Sequence, residues 1–275
     1  MSAKVSRLTI YPIKSTRGLD ISRSAVSSEG MAFDRRFMLA DEKGRMLTGR
    51  ALPKLVQVKA TPLNHGLLVT HPDMPSLELY YEAFSGEGIE THVWKDKFQA
   101  LASHPQANRW FTTLLGRSSQ LLYAGTESPR FSQSAGTKVG FADAFPLLII
   151  SQASLEALNA RCEDIHSMAQ FRPNLVVSHC EAFAEDSWAR IRIGEVELRM
   201  DGPCSRCIFT TRDPKSGEFI GRQEPLNTLS LFRKDQVGKI NFGMNTTVVK
   251  GGVLELGAEI EVLEKRTAET YADRG

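Results

Sequence analysis

The chain has 275 residues, 34 Lys and Arg against 32 Asp and Glu, and 41% hydrophobic content, enough for one or two domains with a sizeable core. A net charge of +2 gives no global attraction to nucleic acid or an anionic membrane. No apolar run reaches the ~20 residues of a membrane helix, residues 1–10 lack a signal-peptide core, and four cysteines are too sparse for a disulfide scaffold, so a cytoplasmic protein is expected.

The first third reads as β-structure. Val5 to Tyr11, Phe33 to Ala40, Leu55 to Thr61 and Gly66 to Thr70 are short runs of β-formers, separated by turn residues such as Asp41-Glu42-Lys43-Gly44. Many short strands with frequent turns favour a barrel or sandwich. The composition changes near Ser103. From there to Gly116 the spacing predicts a helix, with Ser103 as N-cap and Trp110, Phe111, Leu114 and Leu115 on one face. A strand (Gln120 to Tyr123), a polar loop (Gly125 to Lys138) and an apolar strand (Phe145 to Ile150) follow, and Ser151 caps a helix through Cys162. Beyond these, strands are expected at Asn174 to Ser178, in a hairpin around Gly194, at Cys207 to Thr211, and in two closing strands, Asn241 to Val249 and Val253 to Val262. Pro225 to Lys234 reads as a short helix. The fold class is therefore β-rich α+β with a few short helices. Two modules are expected, residues 1–100 and 101–265, and a polar tail, 266–275.

The pair Cys204-Ser205-Arg206-Cys207 asks for a chemical explanation. Zinc would need a second pair, and Cys162 and Cys180 stand alone in sequence. A thioredoxin-like pair opens a helix, whereas a strand is expected after Cys207. A single thiolate ligand beside a structural thiol is the third possibility, with Arg206 favouring the thiolate, the metal-binding form. Spacing leaves these open beside the ordinary reading of two incidental thiols. Arg172-Pro173-Asn174 sets an arginine, expected in extended geometry ahead of proline, as a planar fork for phosphate, with an amide for a heterocycle edge. Lys14-Ser15, Asp34-Arg35-Arg36 and Thr48-Gly49-Arg50 place cations and hydroxyls at strand ends, where an anion could be held. Asp143, and Ser151 at a helix N-terminus, complete the candidates. Each alone reads most simply as a solvated loop or a cap. Ser178-His179-Cys180 and Glu185-Asp186 read as non-catalytic, the carboxylates as solvated or capping.

In this order, Phe171-Arg172-Pro173-Asn174, Ala184-Glu185-Asp186-Ser187-Trp188, Ile193-Gly194-Glu195-Val196 and Pro203-Cys204-Ser205-Arg206-Cys207-Ile208-Phe209-Thr210-Thr211 resemble the MOSC domain of molybdenum-cofactor proteins. The resemblance is strongest to the YcbX-type and amidoxime-reducing component family. Tyr11-Pro12-Ile13-Lys14-Ser15 and Phe33-Asp34-Arg35-Arg36-Phe37 resemble its N-terminal β-barrel domain. The resemblance covers roughly residues 5 to 263. It implies an N-terminal β-barrel module packed on a MOSC β-barrel module, a molybdopterin-type cofactor, and Cys207 as the thiolate ligand to molybdenum. It also implies cofactor contacts from Lys14, Ser15, Arg35 or Arg36, Asp143, Ser151, Arg172, Asn174, Ser205 and Arg206. The implied activity is reduction of N-hydroxylated compounds such as hydroxylamines, amidoximes or N-hydroxylated bases, oxygen leaving as water. The alternative is a carrier of the cofactor or of sulfur without turnover. YcbX-type chains often continue into a plant-type ferredoxin domain, but Cys-x4-Cys-x2-Cys is missing here. No iron–sulfur cluster is expected, and electrons would come from a separate flavin reductase or ferredoxin-type partner. Neither nucleic acid nor membrane is an expected partner.

Overall fold

A computed structural model describes residues 2–84 and 86–274. Its largest sheet has eight strands in the order Leu19–Ile21, Lys4–Ile10, Leu175–Ser178, Leu147–Ser151, Asn241–Lys250, Val196–Ser205, Trp188–Ile193 and Ile260–Lys265. Lys4 bridges Glu259, and the backbone N–H of Ile260 donates to the Ala3 carbonyl at 2.8 Å. The first and last parts of the chain thus meet, and the sheet curls into a barrel. Val196, Leu198 and Met200 are buried and Glu197 and Arg199 less so, the two-residue period of a strand covered on one face. One pairing in this sheet is parallel, Leu147–Ser151 with Leu175–Ser178. Parallel neighbours need a long crossover. Here it comprises the helix Gln152–Asn159, a polar loop and the helical turn Met168–Phe171.

The second unit has a four-stranded sheet, Phe37–Ala40, Gln120–Tyr123, Asp96–Ala102 and Gly88–Val93, and a three-stranded one, Lys59–Leu63, Gly66–His71 and Met74–Tyr80. The helix Pro105–Leu115 drives Ala107, Trp110, Phe111 and Leu114 into the core that joins them. The helix and strand that follow residue 100 therefore pack on this unit, while the first strand of the chain pairs within the other.

Several elements differ from expectation for physical reasons. His104, not Ser103, is the N-cap, its ring nitrogen accepting from the Gln106 N–H at 3.1 Å. Lys54–Gln57 is a helical turn behind Pro53, so the strand there is only Lys59–Leu63. The last closing strand is broken by a turn in which Gly257 takes φ +83°, a conformation glycine adopts without steric cost. Ile208–Thr211 is a 3-10 turn rather than a strand. Its threonine hydroxyls donate back to the carbonyls of Cys207 (3.0 Å) and Ile208 (2.8 Å), a local bond that competes with strand pairing. The expected strand had spoken against thioredoxin-like chemistry at the cysteine pair, and that objection falls with it.

Candidate functional site

A cleft of about 300 Å³ opens where loops of the two units face each other. The second unit brings Arg50 and Trp94. The turn after the first strand brings Lys14 and Ser15, and the turn before Phe37 brings Arg35. From the barrel come Asp143, Arg172, Asn174, Ser205, Arg206, Cys207, Thr210 and Asn245. Of the residues expected at a site, the cleft gathers all but two. Arg36 turns away to Glu29 and the Gly125 carbonyl, which also settles that Arg35, not Arg36, reaches the cleft. Ser151 is fully buried and caps its helix, accepting from Ser154 N at 3.0 Å.

The two neighbouring thiols have different surroundings. Cys204 is half-buried against an apolar cluster, with Arg206 Nη1 3.1 Å from its sulfur. Cys207 is exposed, and its sulfur receives Nε and Nη2 of Arg50, each at 3.4 Å. The arginine expected beside the reactive thiol thus sits on the other one, and a residue 157 positions away takes its place. Both cysteines are free thiols.

Cations outnumber acids in the cleft. Lys14 Nζ donates to Asp143 Oδ1 at 2.5 Å and to the Phe141 carbonyl at 2.7 Å. Burial pulls this ammonium down to about 8, with Asp143 working against the fall. Burial would raise the Asp143 carboxyl, but Lys14, Arg50 and Arg35 outweigh it and hold the group well below the usual carboxylate range. Arg35 bonds Asp34 Oδ2 (2.6 Å) and Asn174 Oδ1 (3.0 Å). Asn174 also receives Leu148 N and donates to the Thr9 carbonyl, so its amide is occupied in locking Arg35 and two strands together. Among the described residues, Arg172 and Arg206 have no carboxylate partner within 4 Å. Arg172 donates to the Thr16 carbonyl at 2.6 Å and lies 4.0 Å from the Tyr11 ring, with Arg35 at 4.3 Å from the same ring. Burial draws Arg172 down to about 10 and pushes the Tyr11 phenol up to about 12. Arg206 Nη2 donates to the Phe171 carbonyl at 2.6 Å, while its buried Nε finds no acceptor.

The backbone here is unusual as well. Ser15, Arg35, Trp94 and Arg172 all take positive φ, a conformation that costs roughly 1–3 kcal/mol outside glycine and concentrates at functional sites. Arg172 was expected to be extended ahead of Pro173. Instead it ends the helical turn Met168–Phe171 in the left-handed conformation, the common way to terminate a helix. Sequence reasoning missed Trp94, whose Nε1 donates to Asp143 at 3.3 Å and whose ring lies 4.5 Å from the Arg50 guanidinium. It also missed Arg130. That guanidinium is 1% exposed and donates to the carbonyls of Gly140, Ala142 and Asp143, holding the loop that presents Asp143. A lone arginine in a polar loop carries no periodic signal, so nothing in the sequence marked it.

The MOSC N-terminal beta barrel domain family matches residues 2–118 and the MOSC domain family residues 136–261. The chain is 34% identical to mitochondrial amidoxime-reducing component 1 of Xenopus laevis over 84% of this chain and 71% of that one. To component 1 of Danio rerio it is 33% identical, over 93% and 83%. To component 2 of Homo sapiens it is 33% identical, over 92% and 81%. Each of these relatives is mitochondrial by name, which overturns the expected cytoplasmic location. The residue pattern at positions 1–10 does not choose among compartments.

Proposed function

Because this chain belongs to the family of the amidoxime-reducing components, with both the MOSC N-terminal β-barrel and the MOSC domain, we propose that it is a molybdenum-cofactor-dependent reductase of N-hydroxylated compounds. The observation that carries this reading is the exposed Cys207 thiol at a cleft with surplus positive charge. That donor set fits an anionic pterin phosphate beside a thiolate-bound metal: a sulfur at the opening, two half-buried guanidiniums without carboxylate partners, and a buried Arg206 Nε lacking an acceptor. When bound, the cofactor supplies the two-electron chemistry that breaks the N–O bond.

The chain's own residues bind and orient. Cys207 offers the metal ligand, and Arg50 directs two N–H donors at its sulfur. Arg172 and Arg206 supply the forked donors that suit phosphate, with Ser15 and Ser205 adding hydroxyls on the same cleft wall. Lys14, Arg35 and Asn174 hold the two units in register, and Arg130 fixes the Asp143 loop. In the pair of Lys14 with Asp143 the ammonium carries the proton, and the carboxylate holds it in place. The relatives are named as components, which supports electrons arriving from a separate redox partner.

Metal analysis of protein from molybdate-replete cells is expected to give stoichiometric molybdenum, lost on Cys207→Ala, together with turnover of benzamidoxime by chemically reduced protein. Cys204→Ser is expected to retain both. Full turnover in Cys207→Ala would sink the ligand assignment. A stable cofactor load without turnover of any N-hydroxylated compound would instead indicate a carrier.

A further inference from the structure

The crossover that ends on Arg172 carries a second group of metal-ligating side chains. We propose that Cys162, His166 and Glu224 form a binding site for one zinc ion. Their ligand atoms lie within 4.8 Å of one another although Glu224 is remote in sequence. His166 is 2% exposed, and its Nε2 has no hydrogen-bond partner. A buried imidazole normally satisfies both nitrogens, so this one is a lone donor atom facing a thiol and a carboxylate. Burial also lowers the ring's hold on a second proton, and the neutral imidazole is the form that binds metal.

The group is built rather than incidental. Asn159 clamps the His166 backbone from both sides, accepting from its N–H at 2.9 Å and donating to its carbonyl at 3.0 Å. The Glu224 carboxylate is fixed by the N–H of Thr228 at 3.2 Å. Bond lengths of about 2.0–2.3 Å to zinc require the three ligand atoms to close up slightly, within reach of side-chain rotation by the half-buried Cys162 and Glu224. The Gln170 Nε2 contact to His166 Nδ1, long at 3.4 Å, would be given up. Cys162 releases its proton to solvent on binding. One thiolate and one carboxylate then cancel the dication, and a water completes a tetrahedral set. Sulfur, nitrogen and oxygen donors together suit zinc better than calcium or magnesium. Gln170 also donates to the Thr210 carbonyl at 3.1 Å, and Thr210 N donates to the Cys207 carbonyl at 3.0 Å. The ion would therefore sit behind the wall of the cleft without entering it.

The test is zinc titration of EDTA-treated full-length protein against a metallochromic competitor, followed by cobalt substitution. Wild type and the Cys204→Ala/Cys207→Ala double variant should bind one zinc equally. Cys162→Ser and His166→Gln should each weaken it by more than the roughly 10–100-fold typical of outer-shell losses. Cobalt should give a thiolate charge-transfer band that Cys162→Ser removes. Glu224→Gln keeps the side-chain size, so it should fold as wild type by circular dichroism and still bind zinc more weakly. No binding at micromolar free zinc would overturn the proposal. So would affinity unchanged in Cys162→Ser or Glu224→Gln, or zinc lost only with Cys204 and Cys207.

Discussion

On the outer face of the large sheet, Arg190 lies 2.5 Å from Glu197 and 3.5 Å from Glu264, and Arg192 lies 3.3 Å from Glu197 and 3.2 Å from Glu261. These arginines project from regular strands, half-exposed, with a carboxylate on either side. In the cleft, Arg172 and Arg206 come from loop and strand-end positions, are likewise half-buried, and meet backbone carbonyls and aromatic faces rather than acids. The same residue type thus makes a charge-balanced surface in one place and an unbalanced anion receptor in the other. Counting arginines would not separate the two; asking which have acid partners does.

That contrast can be broken most sharply at a third kind of arginine, buried and paired. Arg233 and Asp186 lie 2.7 Å apart, each 5% exposed. Arg233→Ala leaves a buried carboxylate without its counter-charge and is expected to cost about 3–5 kcal/mol, read by urea unfolding. A loss under 1 kcal/mol would mean that burial there is incomplete. Arg172→Ala should instead leave stability nearly intact but weaken cofactor retention by roughly 10–100-fold, the worth of a charged hydrogen bond of about 1.5–3 kcal/mol, measured as molybdenum kept through dialysis. If stability falls and retention does not, Arg172 belongs with the structural arginines.

Lys14 sharpens the comparison through pH. Its ammonium is drawn down to about 8, so the cleft loses a positive charge as pH rises through that value. Affinity for an anion should fall by roughly fivefold from pH 8 to pH 9, following the loss of the protonated form, and the step should vanish in Lys14→Gln. Affinity rising over that range would reverse the assigned role. The smallest effect is expected at Arg192→Ala. An exposed pair contributes about 0–1 kcal/mol, and molybdenum content should not change.

Strand-rich architecture was legible because alternation and turn residues are local signals, and the helix Pro105–Leu115 because its apolar stripe is periodic. The cleft was legible only in part. Lys14, Arg35, Asp143, Arg172, Asn174, Ser205, Arg206 and Cys207 could be assembled because they fall in ordered motifs that resemble a family. Trp94 could not, and Arg50 was marked only as a cation at a strand end: its place beside Cys207 arises when two units fold against each other. The choice of Cys207 over Cys204 was likewise invisible in the spacing; it rests on the family resemblance, and the exposure of the Cys207 sulfur supports it. Glu185 shows the converse. Half of its reading held, since it accepts from Ser151 N and Ser154 Oγ, but it does so fully buried rather than solvated. Cys162 was set aside as isolated because its neighbours His166 and Glu224 are brought to it by a crossover loop and a later helix.

The pairing of Lys4–Ile10 with Leu175–Ser178 has a consequence during synthesis. The earlier of the two strands finds this partner across about 165 residues of chain, on the order of ten to thirty seconds later at ~5–20 residues per second. For that interval its Leu8–Ile10 end has only the short hairpin with Leu19–Ile21. The intervening unit, with its own core, can fold meanwhile and carry that strand as a tether. A fragment beginning after residue 100 would make the barrel with two of its eight strands missing, exposing the edges of Leu175–Ser178 and Ile260–Lys265, and is expected to aggregate rather than to fold as a smaller version of the protein.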